Sequence, residues 1–299
     1  MKTLRDIGED ALIERLTGLV PLDPSPHAGP GDDCAVIDAG NNKLQLLKTD
    51  ALVGGVHFLT NAAPRKVGWK AAARVVSDFA AMGGTPERFL ITLALPPETA
   101  VDWVENLYRG IADCLIRFGA VLAGGETCGV PSGSAPVISV AATGSAERDH
   151  LVLRSTGKPG DVLLATGRLG GSIHGKHLDF IPRIEESAWL VSIQKPTAMM
   201  DLSDGLAKDL PRLAAASGCG FRIYRDSIPV TPGCTVDQAL GDGEDFELLF
   251  AMAPDAVDGL LENWKSRFPD LPLTAIGSLV PPGEGMSLAG GWEHFRSKP

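Results

Sequence analysis

The sequence predicts two lobes of mixed α/β structure, and three observations support this. The chain has 299 residues, a length that suits about two domains. Its hydrophobic content of 44% is enough for two cores. Strand-like and helix-like apolar spacings alternate in both halves, without a short fixed repeat or a low-complexity tract.

The elements follow in order. "EDALIERLTGL" has helical spacing at Leu12, Leu16 and Leu19, and "VPLDPSPHAGPGDD" is a loop rich in proline and glycine. "KLQLLKTDALV" predicts a strand running into "VGGVHF", "RKVGWKAAARVVSDFAAMG" a helix closed by Gly83 and Gly84, and "RFLITLAL" a strand. "WVENLYRGIADCLIRFG" predicts a helix closed by Gly119; "AVLAGGETCG" and "PVISVAATGSA" predict strands. The texture changes at "ERDHLVLRSTGKPGD", which places a domain boundary near 146–150 and divides the chain into 1–147 and 148–299. The second part alternates again through "DVLLATG", "MMDLSDGLAKDLPRLAAAS", "GFRIY", "FELLFAM", the helical "PDAVDGLLENWKSRF" and "LTAIGSL".

Charge and cysteine content narrow the function classes. A net charge of -10 disfavours nucleic acid and anionic membranes as partners, since an acidic surface repels both. Phosphates remain accessible to such a protein if metal ions lie between. The five cysteines form no CxxC pair, so they read as reduced thiols in the cytoplasm rather than a disulfide framework or a zinc site. "MKTLRDIGED" lacks the apolar core of a signal peptide, and no run approaches about 18 apolar residues, so a soluble, unexported protein is expected.

"MMDLSDGLAKDL" admits two readings. Ser203 sits where a helix N-cap belongs, Asp204 suits the positive end of the helix dipole, and Leu206, Leu210 and Leu213 repeat with helical spacing. Capping leaves Asp201 unexplained, and the free N–H groups of a helix start also suit phosphate. Four further acidic turns share this setting beside glycine or a small residue: "PGDDCAV", "KTDALVGGVHF", "VVSDFAAMGG" and "AGGETCG". Solvated loops would explain any one of them. Together they offer Asp33, Asp50, Asp78, Glu126, Asp201 and Asp204, an oxygen-rich set suited to magnesium if the fold gathers it. No GxxxxGK[ST] loop and no HRD or DFG set is present, so phosphate chemistry here rests on metals and acids.

The blocks "PGDDCAVI", "KTDALVGGVHF", "VVSDFAAMGGTPERFLITLALP", "AGGETC", "LRSTGKPGDVLLATGRLGGS", "MMDLSDGLAKDL" and "GDGEDFELLF" occur in one order over nearly the whole chain. In this the sequence resembles the thiamine-monophosphate kinase family, of the superfamily of aminoimidazole ribonucleotide synthetase and selenophosphate synthetase. The resemblance implies a two-domain aminoimidazole ribonucleotide synthetase-like fold. Its N-terminal α/β domain would form a β-barrel across a homodimer, with ATP and several magnesium ions between the domains. It implies metal ligation by Asp33, Thr49, Asp50, Asp78, Glu126, Asp201 and Asp204, and ATP contacts from Gly125, Glu126, Arg154 and Ser203. It assigns the substrate to His57, Glu244 and Trp292, of which the residues alone would leave His57 as a packed strand histidine and Trp292 as a terminal core aromatic. The implied reaction is phosphorylation of thiamine monophosphate to thiamine diphosphate, without a general base.

Four departures from the family pattern stand out. Lys48 replaces a usual Ser, Glu126 a usual Asp and Phe246 a usual Tyr, and "GGSIHGKHLDFIPRIEE" looks shortened. Strand alternation leaves open whether Lys48 points to solvent or toward the acids, where its ammonium would stand in for part of a metal's charge. Two alternatives follow from these departures: another ATP-dependent small-molecule kinase or ligase of the superfamily, or a catalytically silent nucleotide- and metal-binding homologue. The absence of a reactive Cys-Lys pair near the N-terminus disfavours selenophosphate synthetase, and the ending "FRSKP", without cysteine, disfavours the hydrogenase maturation protein.

Overall fold

The structure is a computed structural model that describes residues 2–23, 30–38, 40 and 42–295. Part of the proline-rich loop expected at 20–33, residues 24–29, lies outside the described residues.

The first half opens with α1 (Leu4–Thr17), whose Thr3 N–H donates to Asp6 Oδ2 at 2.7 Å in a capping box. The apolar spacing read there is not buried: Leu16 and Leu19 are exposed, and Gly8 breaks the helix with φ 75°. The sheet comprises β1 (Ala35–Asp38), β2 (Lys43–Val53), β3 (Thr85–Leu95), β4 (Val121–Gly129) and β5 (Val137–Glu147). Its order is β1-β2-β5-β3-β4, antiparallel except for β3 and β4, which run parallel and are joined by a helical crossover. Alternation on β5 buries Ile138, Val140 and Ala142 on one face. Against that face lie α2 (Pro64–Ala81) and α3 (Val101–Arg117). The two helices meet at Gly68 and Gly110, where an added Cβ would fall 1.9 Å from Leu107 O and 1.8 Å from Arg65 O. Only glycine permits so close a crossing.

In the second half, β6 (Val162–Thr166), β7 (Ala198–Asp201), β8 (Gly220–Ile223), β9 (Leu248–Met252) and β10 (Leu273–Val280) form a sheet of order β7-β9-β6-β10-β8. Every pair in it is antiparallel, so the architecture is α+β rather than alternating parallel α/β. The helices are α4 (Lys176–Asp179), α5 (Ile184–Ile193), α6 (Leu206–Ala216), α7 (Val236–Gly241) and α8 (Pro254–Arg267). Each half has its own core, and a third cluster joins them where Ala80 and Ala81 of α2 meet Leu190, Met199 and Phe250. Because α2 is buried against both halves, its polar residues end up at their junction. Among the described residues no helix is long and apolar enough to cross a membrane.

Candidate active site

The site grows from the ends of three elements at this junction. Ala198, Met199 and Met200 of β7 are buried, and this apolar anchor carries Asp201 inward at the strand end. Ser77 of α2 donates a hydrogen bond to Asp201 Oδ2 at 2.6 Å, which places the neighbouring Asp78 beside it. Asp33 enters from the turn before β1. One oxygen from each of Asp33, Asp78 and Asp201 lies within 4.8 Å of the others, and all three residues are buried. Two cations border the group. Lys48 Nζ lies 2.7 Å from Asp78 Oδ1, and Arg154 grips Asp33 through Nη2 at 2.5 Å and Nε at 3.1 Å.

Electrostatics show the cluster to be under-neutralised. Burial, followed by the charge of Asp33, raises Asp201 to about 6; burial and the other carboxylates hold Asp78 well above the usual range despite Lys48. Burial and then Asp33 raise the adjacent Asp32 to about 7. Burial alone would lower Lys48, but Asp78, Asp50 and Asp33 outweigh it and hold the ammonium charged. A buried all-carboxylate oxygen set short of positive charge fits a hard divalent cation such as magnesium. Lys48 therefore points inward, which decides the question its sequence position left open.

A cavity of about 210 Å3 is lined by residues that include His57, Ser203, Asp204, Glu244, Phe246 and Trp292, and Ser203 and Asp204 follow Asp201 of the cluster by two and three residues. Five of the expected site residues thus face one space. The capping expectation for Ser203 needs correction. α6 begins at Leu206 behind Gly205 at φ 100°, and it is Asp209 Oδ2 that accepts from the N–H groups of Asp204 (2.9 Å) and Gly205 (3.1 Å). This leaves the Ser203 side chain at the cavity wall, while the Asp204 carboxylate is met by Arg212 at 2.7 Å and Lys208 at 3.2 Å. The Trp292 N–H donates to Asp204 O at 2.8 Å, tying the C-terminal segment to the same turn.

Glu244 sits at φ 55°, a left-handed backbone that a non-glycine residue adopts at a cost. Its carboxylate meets Lys70 at 2.7 Å and His177 Nδ1 at 3.2 Å. Burial pushes this carboxyl up, but His177 and Lys70 together hold it at about 2, while burial draws Lys70 down to about 8. Lys70 also donates to His57 O. His57 Nδ1 accepts from the Val53 N–H at 3.0 Å, and burial, with Arg74 nearby, keeps the ring neutral at about 4. Lys70, His177 and Arg74 were not among the expected residues.

The remaining expected residues are placed differently. Asp50 lies on β2 with Arg74 Nε 3.0 Å away, and the adjacent Thr49 borders the open face of the first sheet. Gly125 and Glu126 are on exposed β4, and the chain does not bring them to the cluster. The row Asp50, Val140, Ile91, Gly125 crosses three strand spacings, about 14 Å.

Known proteins resemble this chain along nearly its whole length. Family models described as "AIR synthase related protein, N-terminal domain" and "AIR synthase related protein, C-terminal domain" match residues 31–146 and 182–281. The thiamine-monophosphate kinase of Rhodopirellula baltica is 34% identical, covering 91% of this chain and 89% of its own, and that of Aquifex aeolicus 33%, covering 98% and 99%. The solved structure of AaThiL complexed with AMPPCP and TMP superposes with a TM-score of 0.84 at 30% identity, covering 98% of this chain and 99% of that one. A HypE-HypF complex, at 19% identity and a TM-score of 0.75, shares the fold alone. With an α+β fold of two such domains and relatives this similar along nearly its whole length, the chain belongs to the thiamine-monophosphate kinase family of enzymes.

Proposed function

We propose that the chain transfers the γ-phosphoryl group of ATP to the phosphate of thiamine monophosphate, giving thiamine diphosphate and ADP. The observation that carries this reading is that the turn after Asp201 of the Asp33, Asp78 and Asp201 cluster supplies Ser203 and Asp204 to the wall of a cavity shared with His57, Glu244 and Trp292. The AaThiL complex with AMPPCP, an ATP analogue, and TMP supports it. Asp33, Thr49, Asp50, Asp78, Asp201 and Asp204 would hold several magnesium ions. When bound, these ions would lessen the repulsion between the two phosphate groups. Ser203 and Arg154 would contact ATP. The indole of Trp292, the neutral ring of His57 and the carboxylate of Glu244 suit an aromatic cation, which describes the thiamine moiety. The acceptor oxygen is anionic near neutral pH, so no general base is required. The transfer then depends on in-line alignment, the Pγ bond to the acceptor oxygen forming as the bond to the ADP oxygen breaks.

Gly125 and Glu126 enter this reading through a second copy. β4 is exposed throughout, and the open face of the first sheet holds an apolar-walled depression of about 610 Å3 containing Leu47, Leu90, Ala123 and Ala141. We infer a homodimer in which two such sheets close into a barrel, covering that face. A concentration-independent monomer mass in ultracentrifugation would count against it. The domains divide at 147/148, and the five free cysteines suit the reducing cytoplasm.

Purified protein with ATP, magnesium and thiamine monophosphate is expected to release ADP and thiamine diphosphate in equal amounts, with little ADP when the acceptor is omitted. ADP release indifferent to thiamine monophosphate would reject the reading. Absence of any turnover alongside retained ATP binding would favour a silent homologue, the reading that the Lys48 to Asp78 ion pair supports.

A further inference from the structure

Arg74, four residues after Lys70 on α2, is the only arginine or lysine among the described residues lining the 210 Å3 cavity. Its side chain is 14% exposed, yet few of its five N–H donors are committed. Nη1 reaches Ala51 O at 3.4 Å, the outer limit of a hydrogen bond, and no hydrogen bond from Nη2 is found among the described residues. Nε lies 3.0 Å from Asp50 Oδ2 without the alignment of a hydrogen bond, and so has no hydrogen-bond partner. The guanidinium stands 6.0 Å over the Phe246 ring. Two other buried arginines behave differently. Arg154 takes Asp33 with two nitrogens, and Arg183 takes Glu247 with two nitrogens at 2.7 Å. The nearly buried guanidinium of Arg74 leaves its fork largely uncommitted where it lines the cavity, and a planar fork suits phosphate oxygens. The carboxylates of Asp204, Asp242 and Glu244 share the lining, so Arg74 is the one arginine or lysine among the described lining residues that an anionic group entering there would meet.

We propose that Arg74 holds the phosphate of the acceptor and so selects the phosphorylated vitamin over free thiamine, an inference that rests on the function proposed above. Phe246 supports the guanidinium from below, and Asp50 sets its orientation. The opposite end of the acceptor then faces Glu244 and Trp292, which fixes its direction in the cavity.

Binding of thiamine monophosphate and of thiamine to the full chain, measured calorimetrically without nucleotide, tests this for wild type, Arg74→Leu and Arg74→Lys. Wild type is expected to prefer thiamine monophosphate. Arg74→Leu should lose about 10- to 100-fold in affinity for it while keeping thiamine affinity within about twofold. Arg74→Lys, which retains the charge but not the fork, should fall between for thiamine monophosphate and match wild type for thiamine. Equal losses for both ligands in both variants would make Arg74 a structural residue and overturn the inference, as would unchanged affinity for thiamine monophosphate. Either result leaves the proposed function standing if wild type still binds and phosphorylates thiamine monophosphate. Wild type that fails to bind thiamine monophosphate overturns the inference, whereas wild type that fails to phosphorylate it overturns the proposed function.

Discussion

Two groups of buried carboxylates lie in the same chain and are treated in opposite ways. Glu247, at the start of β9, receives Arg183 through two nitrogens at 2.7 Å, Lys176 at 3.0 Å and the Thr166 hydroxyl at 2.8 Å. Burial would raise its pKa, but Arg183 and Lys176 outweigh burial and hold it below the usual carboxylate range. Asp33, Asp78 and Asp201 crowd three carboxylates together against Lys48 and Arg154, and Asp78 and Asp201 are pushed upward. The first group is electrically closed and serves to pin the "GGSIHGKH" segment to the second sheet. The second is left short of positive charge in the folded chain, and that deficit is what a cation with its phosphate would fill.

The largest expected effect is on turnover, at two carboxylates outside the second group that are proposed to hold metal with it. Asp50→Asn and Asp204→Asn should each lower the rate of phosphoryl transfer by at least about 100-fold while the melting temperature stays near that of wild type, because an amide would not replace a carboxylate in the metal-holding role proposed for both. Near-normal turnover at saturating magnesium in both would remove their assignment. At Glu247 the order reverses. Glu247→Gln removes the nearest counter-charge of Arg183 and Lys176, leaving them Glu186 at 3.4 Å and Asp245 at 3.6 Å, and should cost about 3 kcal/mol of stability in denaturant unfolding. A loss below about 1 kcal/mol would mean that this group is not closed in the sense argued.

A smaller, pH-dependent effect belongs to Glu244. Its carboxyl is held at about 2 against an ordinary 4.5, so it contributes stability that is present above about 4.5 and lost as pH falls toward 2. Wild type should therefore melt above Glu244→Gln at pH 6, with the gap closing as the pH falls through that window. A gap constant from pH 6 to pH 2.5 in calorimetry would show that Lys70 and His177 do not stabilise the ionised form. The smallest effect concerns Lys48, whose ammonium covers part of the charge deficit. Lys48→Ser should make the rate depend more steeply on magnesium, reaching its maximum only at higher metal. Superimposable titrations would show that the ion pair with Asp78 carries no part of the metal requirement.

Much of this arrangement was legible in the sequence, and the exceptions have physical causes. The apolar and β-branched runs in "KLQLLKTDALV" and "PVISVAATGSA" marked β2 and β5, and the folded chain buries alternate residues along β5 and along the first half of β2. Capping left Asp201 unexplained, and the end of β7, which carries it inward, supplies the reason. The direction of Lys48 was not legible, because burial on β2 loses its alternation around that residue. Ser203 was misread as a cap because the positive φ of Gly205 delays the helix by two residues, which hands the free N–H groups to Asp209. Lys70 and Arg74 did carry a signal. "KAAAR" places two like charges one helical turn apart on a helix otherwise apolar there, an unfavourable pair unless both point at something anionic. His177 had none, since only the tertiary fold brings it to Lys70. The exposure of Gly125 and Glu126 follows from β4 being the edge strand, a matter of sheet order that local pattern does not encode.

The claim that the two groups differ in kind is tested most directly by manganese binding, followed by electron paramagnetic resonance in the presence of AMPPCP. Wild type and Glu247→Gln, the latter assayed below its melting temperature, should bind the ion alike, whereas Asp201→Asn should bind it at least about tenfold more weakly. Equal manganese affinity in wild type and Asp201→Asn would contradict the account.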